Sequence, residues 1–240
     1  MKSATKFLTA SMLVGAFSCV NAAPILTVSQ EGEEAAAKAE ASFLASLQAG
    51  HFTEDFEHED YSVGKQFETI DSVAGAGSFK MTLAGYGGIC EPTCGDGLAV
   101  LDKDTSPFKG RFAVSGNNWL DSMDAQSLKI LPTGGFNAMG FYITDPNDAG
   151  GRFTIGGVDF LFKDFEVFGS GGLPNGSLFY VSLYDETGLD ALEIYSNNKD
   201  DGYGLDNVTV GTIAVTEPGT LALVGLGLLG VLLSFKRKQR

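Results

Sequence analysis

Both histidines of the 240-residue chain stand in one short acidic stretch, HFTEDFEHED from His51 to Asp60, together with Glu54, Asp55, Glu57, Glu59 and Asp60. Imidazole and carboxylate can build a metal site or an acid/base pair, so their spacing decides what they do. His51 and His58 lack the HxxxH-type spacing that turns two imidazoles onto one ion, and they read as surface residues. Hydrolysis by paired carboxylates needs two acids facing each other across about 5–10 Å. Glu57 and Glu59 alternate onto one face of an extended segment, but no further acid continues that row. A GxSxG elbow and a GxxxxGK[ST] phosphate loop are both missing from the sequence. These residues point away from catalysis, and a secreted polysaccharide-active hydrolase using paired acids stays as the competing expectation.

Two carboxylate-rich stretches suit calcium better. One is TEDFEHED, and the other is NNKDDGYGLDNVTV from Asn197 to Val210. Calcium takes six to eight oxygens from carboxylates and backbone carbonyls, which loops of Gly, Asp and Asn supply. Neither stretch is an EF-hand, because no Glu stands at the twelfth loop position. DPNDAGG, from Asp145 to Gly151, reads as a turn. Sugar binding asks for exposed aromatic rings. The sole tryptophan, Trp119, follows a Gly-Asn-Asn turn and is the leading carbohydrate candidate, with Tyr86, Tyr142 and Tyr203 beside it. A lone Trp in a β-sandwich is more often a core residue than a ligand platform, so the core is the competing expectation for Trp119.

The elements that must position these groups are mostly strands. EGEEAAAKAEASFLASLQAG, Glu31 to Gly50, is the one convincing helix: rich in Ala, acidic at its start, with Phe43, Leu44 and Leu47 on one face to dock. Its first turns are polar and are expected to extend into solvent. From Thr53 onward the sequence becomes short alternating runs broken by Gly, Asn, Asp and Pro. In NAMGFYITD, Met139, Phe141 and Ile143 alternate with Gly140, Tyr142 and Thr144. Period-two patterning without interleaved helices predicts an all-β fold, an antiparallel β-sandwich of jelly-roll, lectin-like type.

The two acidic stretches carry a resemblance. Asp55-Phe56-Glu57 and Leu205-Asp206-Asn207-Val208 look like the opening D-F-E and closing [LI]-D-[DN]-[VI] strands of lectin-like and carbohydrate-binding jelly rolls, including extracellular adhesion modules. The resemblance implies that first and last strands lie side by side, with a structural calcium held by Glu57 and Asp206 where they meet. The alternative is that these acids cap strand ends and face water. Extracellular polysaccharide is the partner it implies.

The ends of the chain address it. MKSATKFLTASMLVGAFSCVNAAP reads as a signal peptide over residues 1–22, with Lys2 and Lys6, an apolar core and small residues before the cut. In an exported chain the remaining pair, Cys90 and Cys94 of ICEPTCGDG, reads as a local disulfide; a four-ligand zinc site would need partners that the sequence lacks. Of the 16 Lys and Arg, two lie in the signal peptide and four at the C terminus, leaving ten against 30 acids, a net of −20. Such a charge repels phosphate backbones, so nucleic acid is not an expected partner.

The chain closes with VTEPGTLALVGLGLLGVLLSFKRKQR, residues 215–240. Thr220 to Phe235 is uncharged, but at helical rise these 16 residues span about 24 Å, short of a hydrocarbon core of about 30 Å. Lys236, Arg237, Lys238 and Arg240 follow and are expected to stay cytoplasmic. This order of turn motif, short Gly-rich transmembrane helix and basic end resembles the PEP-CTERM sorting signal of exopolysaccharide-producing Gram-negative bacteria. Glu217, Pro218, Gly219 and Thr220 match its E-P-G-T, while Thr216 replaces the usual first proline. The resemblance implies processing by an exosortase, an intramembrane cysteine transpeptidase. The protein would be tethered to the inner membrane before processing and then delivered to the cell surface or biofilm matrix.

The expected organisation is therefore a signal peptide (1–22), a helical segment (23–52), a β-sandwich (53–214) and a sorting signal (215–240). The expected function is that of a non-catalytic envelope or matrix protein. A ligand-free structural coat protein is the third possibility.

Overall fold

The computed structural model describes residues 23–85, 97–104, 106–146, 150–168 and 173–214. The expected signal peptide, the Cys90–Cys94 pair, Tyr86, and the sorting motif with its transmembrane helix lie outside the described residues.

The described chain forms one α-helix, α1 (Glu33–Ser46), two single-turn 3-10 helices (Phe162–Asp164 and Glu166–Phe168) and fourteen strands. These are β1 (Ile25–Val28), β2 (Phe52–Glu54), β3 (Gln66–Phe67), β4 (Thr69–Asp71), β5 (Gly77–Leu83), β6 (Leu98–Asp102) and β7 (Asn118–Asp121). The rest are β8 (Ser127–Pro132), β9 (Ala138–Thr144), β10 (Gly151–Ile155), β11 (Val158–Leu161), β12 (Leu178–Tyr184), β13 (Leu192–Ser196) and β14 (Gly204–Gly211). They assemble into two antiparallel sheets. One has the order β1-β12-β9-β14-β7-β6-β3, with β2 also paired to β14; the other has the order β11-β10-β13-β8-β5-β4. The fold is thus mainly β, a two-sheet sandwich with one N-terminal helix.

Alternation explains the packing. Along β9, Met139, Phe141 and Ile143 face the space between the sheets, where they join Phe79, Leu128, Ile130, Phe153, Phe179 and Val208. Each fully buried side chain of this size contributes on the order of 2 kcal/mol. The intervening residues of β9 are buried as well, because the outer face of the first sheet is covered. Ala138 and Tyr142 pack there with Ala36 and Phe43 of α1. At Gly140 the missing side chain leaves the space that Phe43 and the Tyr180 hydroxyl fill. Further along the same face, Trp119, Ala99 and Leu101 are covered by Ala113, Met123 and Phe108.

The N-terminal segment departs from the sequence reading in two ways. Ile25–Val28, expected as part of a helical segment, is an edge strand paired with β12. Four residues rich in β-branched side chains complete a sheet more readily than they start a helix. The helix also stops earlier than Gly50: Leu47 turns extended and forms a bridge with Ile213, so docking ends the helix before the glycine can. Its first turns do not project into solvent, since Ala36 is fully buried against the sheet.

Candidate functional site

The two resemblance motifs come together where β14 changes partners. One edge of β14 follows β9, with a register shift between Asp206 and Thr209. Its other edge pairs first with β7 at Gly204 and Leu205 and then with β2 at Val208 to Val210. Asn207 has a positive φ of 47° in this bulge, where the ladder to β9 is interrupted just after the Asp206–Tyr142 pair. Asp55-Phe56-Glu57 follows β2 and is no longer strand: Phe56 has φ 60° and its ring is fully buried between the sheets. Glu54 holds that strained turn. Its carboxylate accepts from the Phe56 N–H (2.8 Å), the Ser72 hydroxyl (2.7 Å) and the Ala74 N–H (3.0 Å).

Glu57 and Asp206 then grip one loop, Val114–Asn118, from two sides. Glu57 Oε1 accepts from the N–H groups of Asn117 and Asn118, each at 2.6 Å. Asp206 Oδ2 accepts from the N–H groups of Val114 (2.7 Å) and Ser115 (2.9 Å), and Oδ1 from Asn207 (2.7 Å). Ser115 Oγ also bonds Asn207 Oδ1. The helix is tied to the same bulge, because Glu40 accepts from Tyr142 and from Asn207. Asp206 is buried, and burial pushes its carboxyl up to about 7. The three N–H donors oppose that rise, while the nearby charge of Glu57 adds to it.

The expected third ingredient is absent from this place. Trp119 is 1% exposed, and its indole N–H donates to Asp121 Oδ2 at 3.0 Å. Tyr142 and Tyr203 are buried too. The carbohydrate expectation for Trp119 is therefore corrected: the ring packs under Phe108 and Met123 and offers no face to a sugar. Asn118, the last residue of the Gly-Asn-Asn turn, opens β7, and Trp119 behind it is covered by Phe108 and Ala113 from before the turn and by Met123 from after the strand.

What replaces it is a buried ion cluster that sequence reasoning did not find. Arg111, only 6% exposed, pairs with Asp121 (3.0 Å), Asp201 (3.4 Å) and Asp124 (3.6 Å), and also donates to the Met123 carbonyl at 2.8 Å. Its guanidinium lies over the Phe108 ring, 4.1 Å from the centroid. Burial works against the Arg111 charge, but the surrounding aspartates carry it above its ordinary value. Burial likewise pushes Asp121 and Asp124 up, with Arg111 pulling the other way. Beside the cluster opens a cavity of about 480 Å³, lined by Phe108, Lys109, Arg111, Asp124, Asn175 and Asp201 among others. Ninety residues separate Arg111 from Asp201, so no local pattern could have joined them.

Among the described residues, no three His, Cys, Asp or Glu side chains converge as a ready metal shell. Comparison with known proteins adds the following. Residues 214–238 match the family described as the PEP-CTERM protein-sorting motif. Among solved structures, the K2 cleaved adhesin domain of Lys-gingipain is similar at 16% identity and a TM-score of 0.36, covering 68% of this chain and 98% of that one. No curated protein matches. The C-terminal motif marks the chain as an exported protein sorted and processed by an exosortase.

Proposed function

We propose that the β-sandwich is a non-catalytic component of the cell envelope or biofilm matrix, that it binds polysaccharide, and that a structural calcium is held between Glu57 and Asp206. The observation that carries the reading is the sorting motif at residues 214–238 on a chain whose folded part is an acidic sandwich. Surface delivery would bring such a domain within reach of extracellular polysaccharide and divalent cations. The engagement of the acids also supports a non-catalytic role. Glu54, Glu57 and Asp206 all spend oxygen lone pairs on backbone N–H groups of turns, which is structural work rather than proton transfer.

At this place the proposed calcium would find two carboxylates and would draw its remaining oxygens from hydroxyl, amide, backbone carbonyl and water. Asp206 is buried beside a second negative group, and burial holds it near neutrality, so a cation there would restore its charge. Carboxylate oxygens of Glu57 and Asp206 would hold the ion, with Ser115 Oγ and Asn207 Oδ1 at the same contact. Bound calcium supplies the positive charge that fixes the loop to the bulge.

Three measurements test this. Calcium should raise the melting temperature over chelator in the wild type and not in Glu57→Gln; an unmoved melt removes the calcium. A glycan array with and without chelator should show polysaccharide binding, and a blank array in both conditions leaves a ligand-free coat protein. Pro218→Ala should leave the chain unprocessed in the membrane fraction; normal release would refute exosortase handling at this motif.

A further inference from the structure

The Arg111 cluster brings more carboxyl groups together than cations. Asp121, Asp124 and Asp201 all face one guanidinium. In the adjoining cavity four carboxylates, those of Asp124, Asp145, Asp200 and Asp201, stand against the two cations Lys109 and Arg111. Asp145 is committed in part, since its Oδ1 accepts from the Gly176 N–H. Asp124 is committed through one oxygen only: its Oδ1 pairs with Arg111, while the side chain, 1% exposed and lining the cavity, has no hydrogen-bond partner at Oδ2. A buried carboxylate oxygen without a donor costs roughly 1–3 kcal/mol or more, so it marks a position where a donor is missing.

The missing donor is cationic, because the carboxyl groups outnumber the cations, and it has a body. The cavity of about 480 Å³ is far larger than an ion and accommodates a sugar ring. Its walls are mixed: Pro107 and Phe108 are apolar, while Asn175 and Lys109 can bond hydroxyl groups.

We infer that this cavity binds a protonated primary amine carried on a sugar-sized hydroxylated body, an amino-sugar residue of a polysaccharide, with its ammonium donating to Asp124 Oδ2. The polysaccharide part of this inference rests on the proposed function; the requirement for an ammonium rests on the cavity alone. Asp201 would supply the second acceptor from its more exposed side, and Phe108 would face the ring carbons.

The test compares a glucosamine oligomer bearing free amines, the same oligomer fully N-acetylated, and a neutral glucan oligomer, by calorimetry on the exported protein. The free-amine oligomer should bind, more weakly as salt rises, and the other two should not bind at this cavity. Asp124→Asn should weaken that binding by roughly tenfold or more, the loss of one charge-assisted hydrogen bond. Glu186→Gln, an exposed neutralisation of equal charge, should leave it within about twofold and so separates the cavity from general attraction to an acidic surface. Trp119 emission reports whether each variant is folded, and Asp201→Asn gives a second reading should Asp124→Asn fail to fold. Equal binding of the acetylated oligomer overturns the ammonium while leaving polysaccharide binding intact. Equal losses in Asp124→Asn and Glu186→Gln also overturn it. Calcium ions bound at Asp124 that exclude the oligomer overturn it in favour of a metal. Binding by none of the three oligomers, with a blank glycan array, refutes the polysaccharide reading itself.

Discussion

Without calcium, Asp206 should make the protein less stable as pH rises. Its carboxyl is raised from an ordinary value of 3.8 to about 7, chiefly by burial. In the folded state it therefore keeps its proton across a range where the unfolded chain has lost it. The unfolded state then binds fewer protons, so stability falls with increasing pH. The contribution is fully present below pH 4, declines between pH 4 and 7, and is gone above 7. A shift of that size corresponds to about 4 kcal/mol at roughly 1.4 kcal/mol per unit. Urea unfolding of the exported protein in chelator, at half-unit steps from pH 4 to 8, reads this directly. Asp206→Asn is the control. It costs some stability at every pH, because its amide meets one of the three N–H donors, but the slope should be smaller than in the wild type, leaving only what Asp121, Asp124 and other groups contribute. Calcium should reverse the trend in the wild type, since proton and metal compete for the same oxygens. An Asp206→Asn slope equal to that of the wild type would refute the assignment of the titration to this residue.

Other expectations are more local. Arg111→Met strands Asp121 in the core without its counter-charge and should cost about 3–5 kcal/mol by denaturant unfolding; a loss below about 1 kcal/mol would mean the cluster is not buried as described. Gly140→Ala places a methyl group 2.8 Å from the Phe43 ring and against the Tyr180 hydroxyl, so α1 should loosen. The expected cost is about 1–3 kcal/mol, with faster amide exchange confined to residues 33–46. Glu54→Ala removes three acceptor contacts from the Phe56 turn and should destabilise by about 1–3 kcal/mol; an unchanged urea midpoint would show that the turn holds itself. Trp119 emission should be that of a buried indole, poorly quenched by acrylamide.

The parts of the fold that were legible in the sequence are those fixed by local periodicity. Met139, Phe141 and Ile143 alternate because they line one face of a strand, and their spacing alone requires it. The Ala-rich run from Glu33 announces a helix for similarly local reasons. Its end does not follow from the run, because the stop comes from Leu47 pairing with Ile213, a contact far away in the chain. Ile25–Val28 was missed for the same cause: four residues make a strand only when β12 is there to pair with.

The sites divide along the same line. The sorting signal is legible because it is read as a linear segment, and the E-P-G-T motif with its apolar run and basic end carries the information in order. Glu57 and Asp206 could be nominated because their flanking residues form recognisable strand ends. That they grip one loop from opposite sides is decided by the β14 bulge. Trp119 shows the reverse: its turn signals exposure, yet the roof of Phe108 and Met123 closes over it. Arg111, Asp121, Asp124 and Asp201 carry no sequence signal, since isolated charges in an acidic chain look solvated until folding buries them together. Composition and order along the chain thus determined the class of fold and the destination. Which carboxylates stay charged, and which oxygen lacks a donor, was decided by tertiary burial, because desolvation and partnership are properties of a place in space.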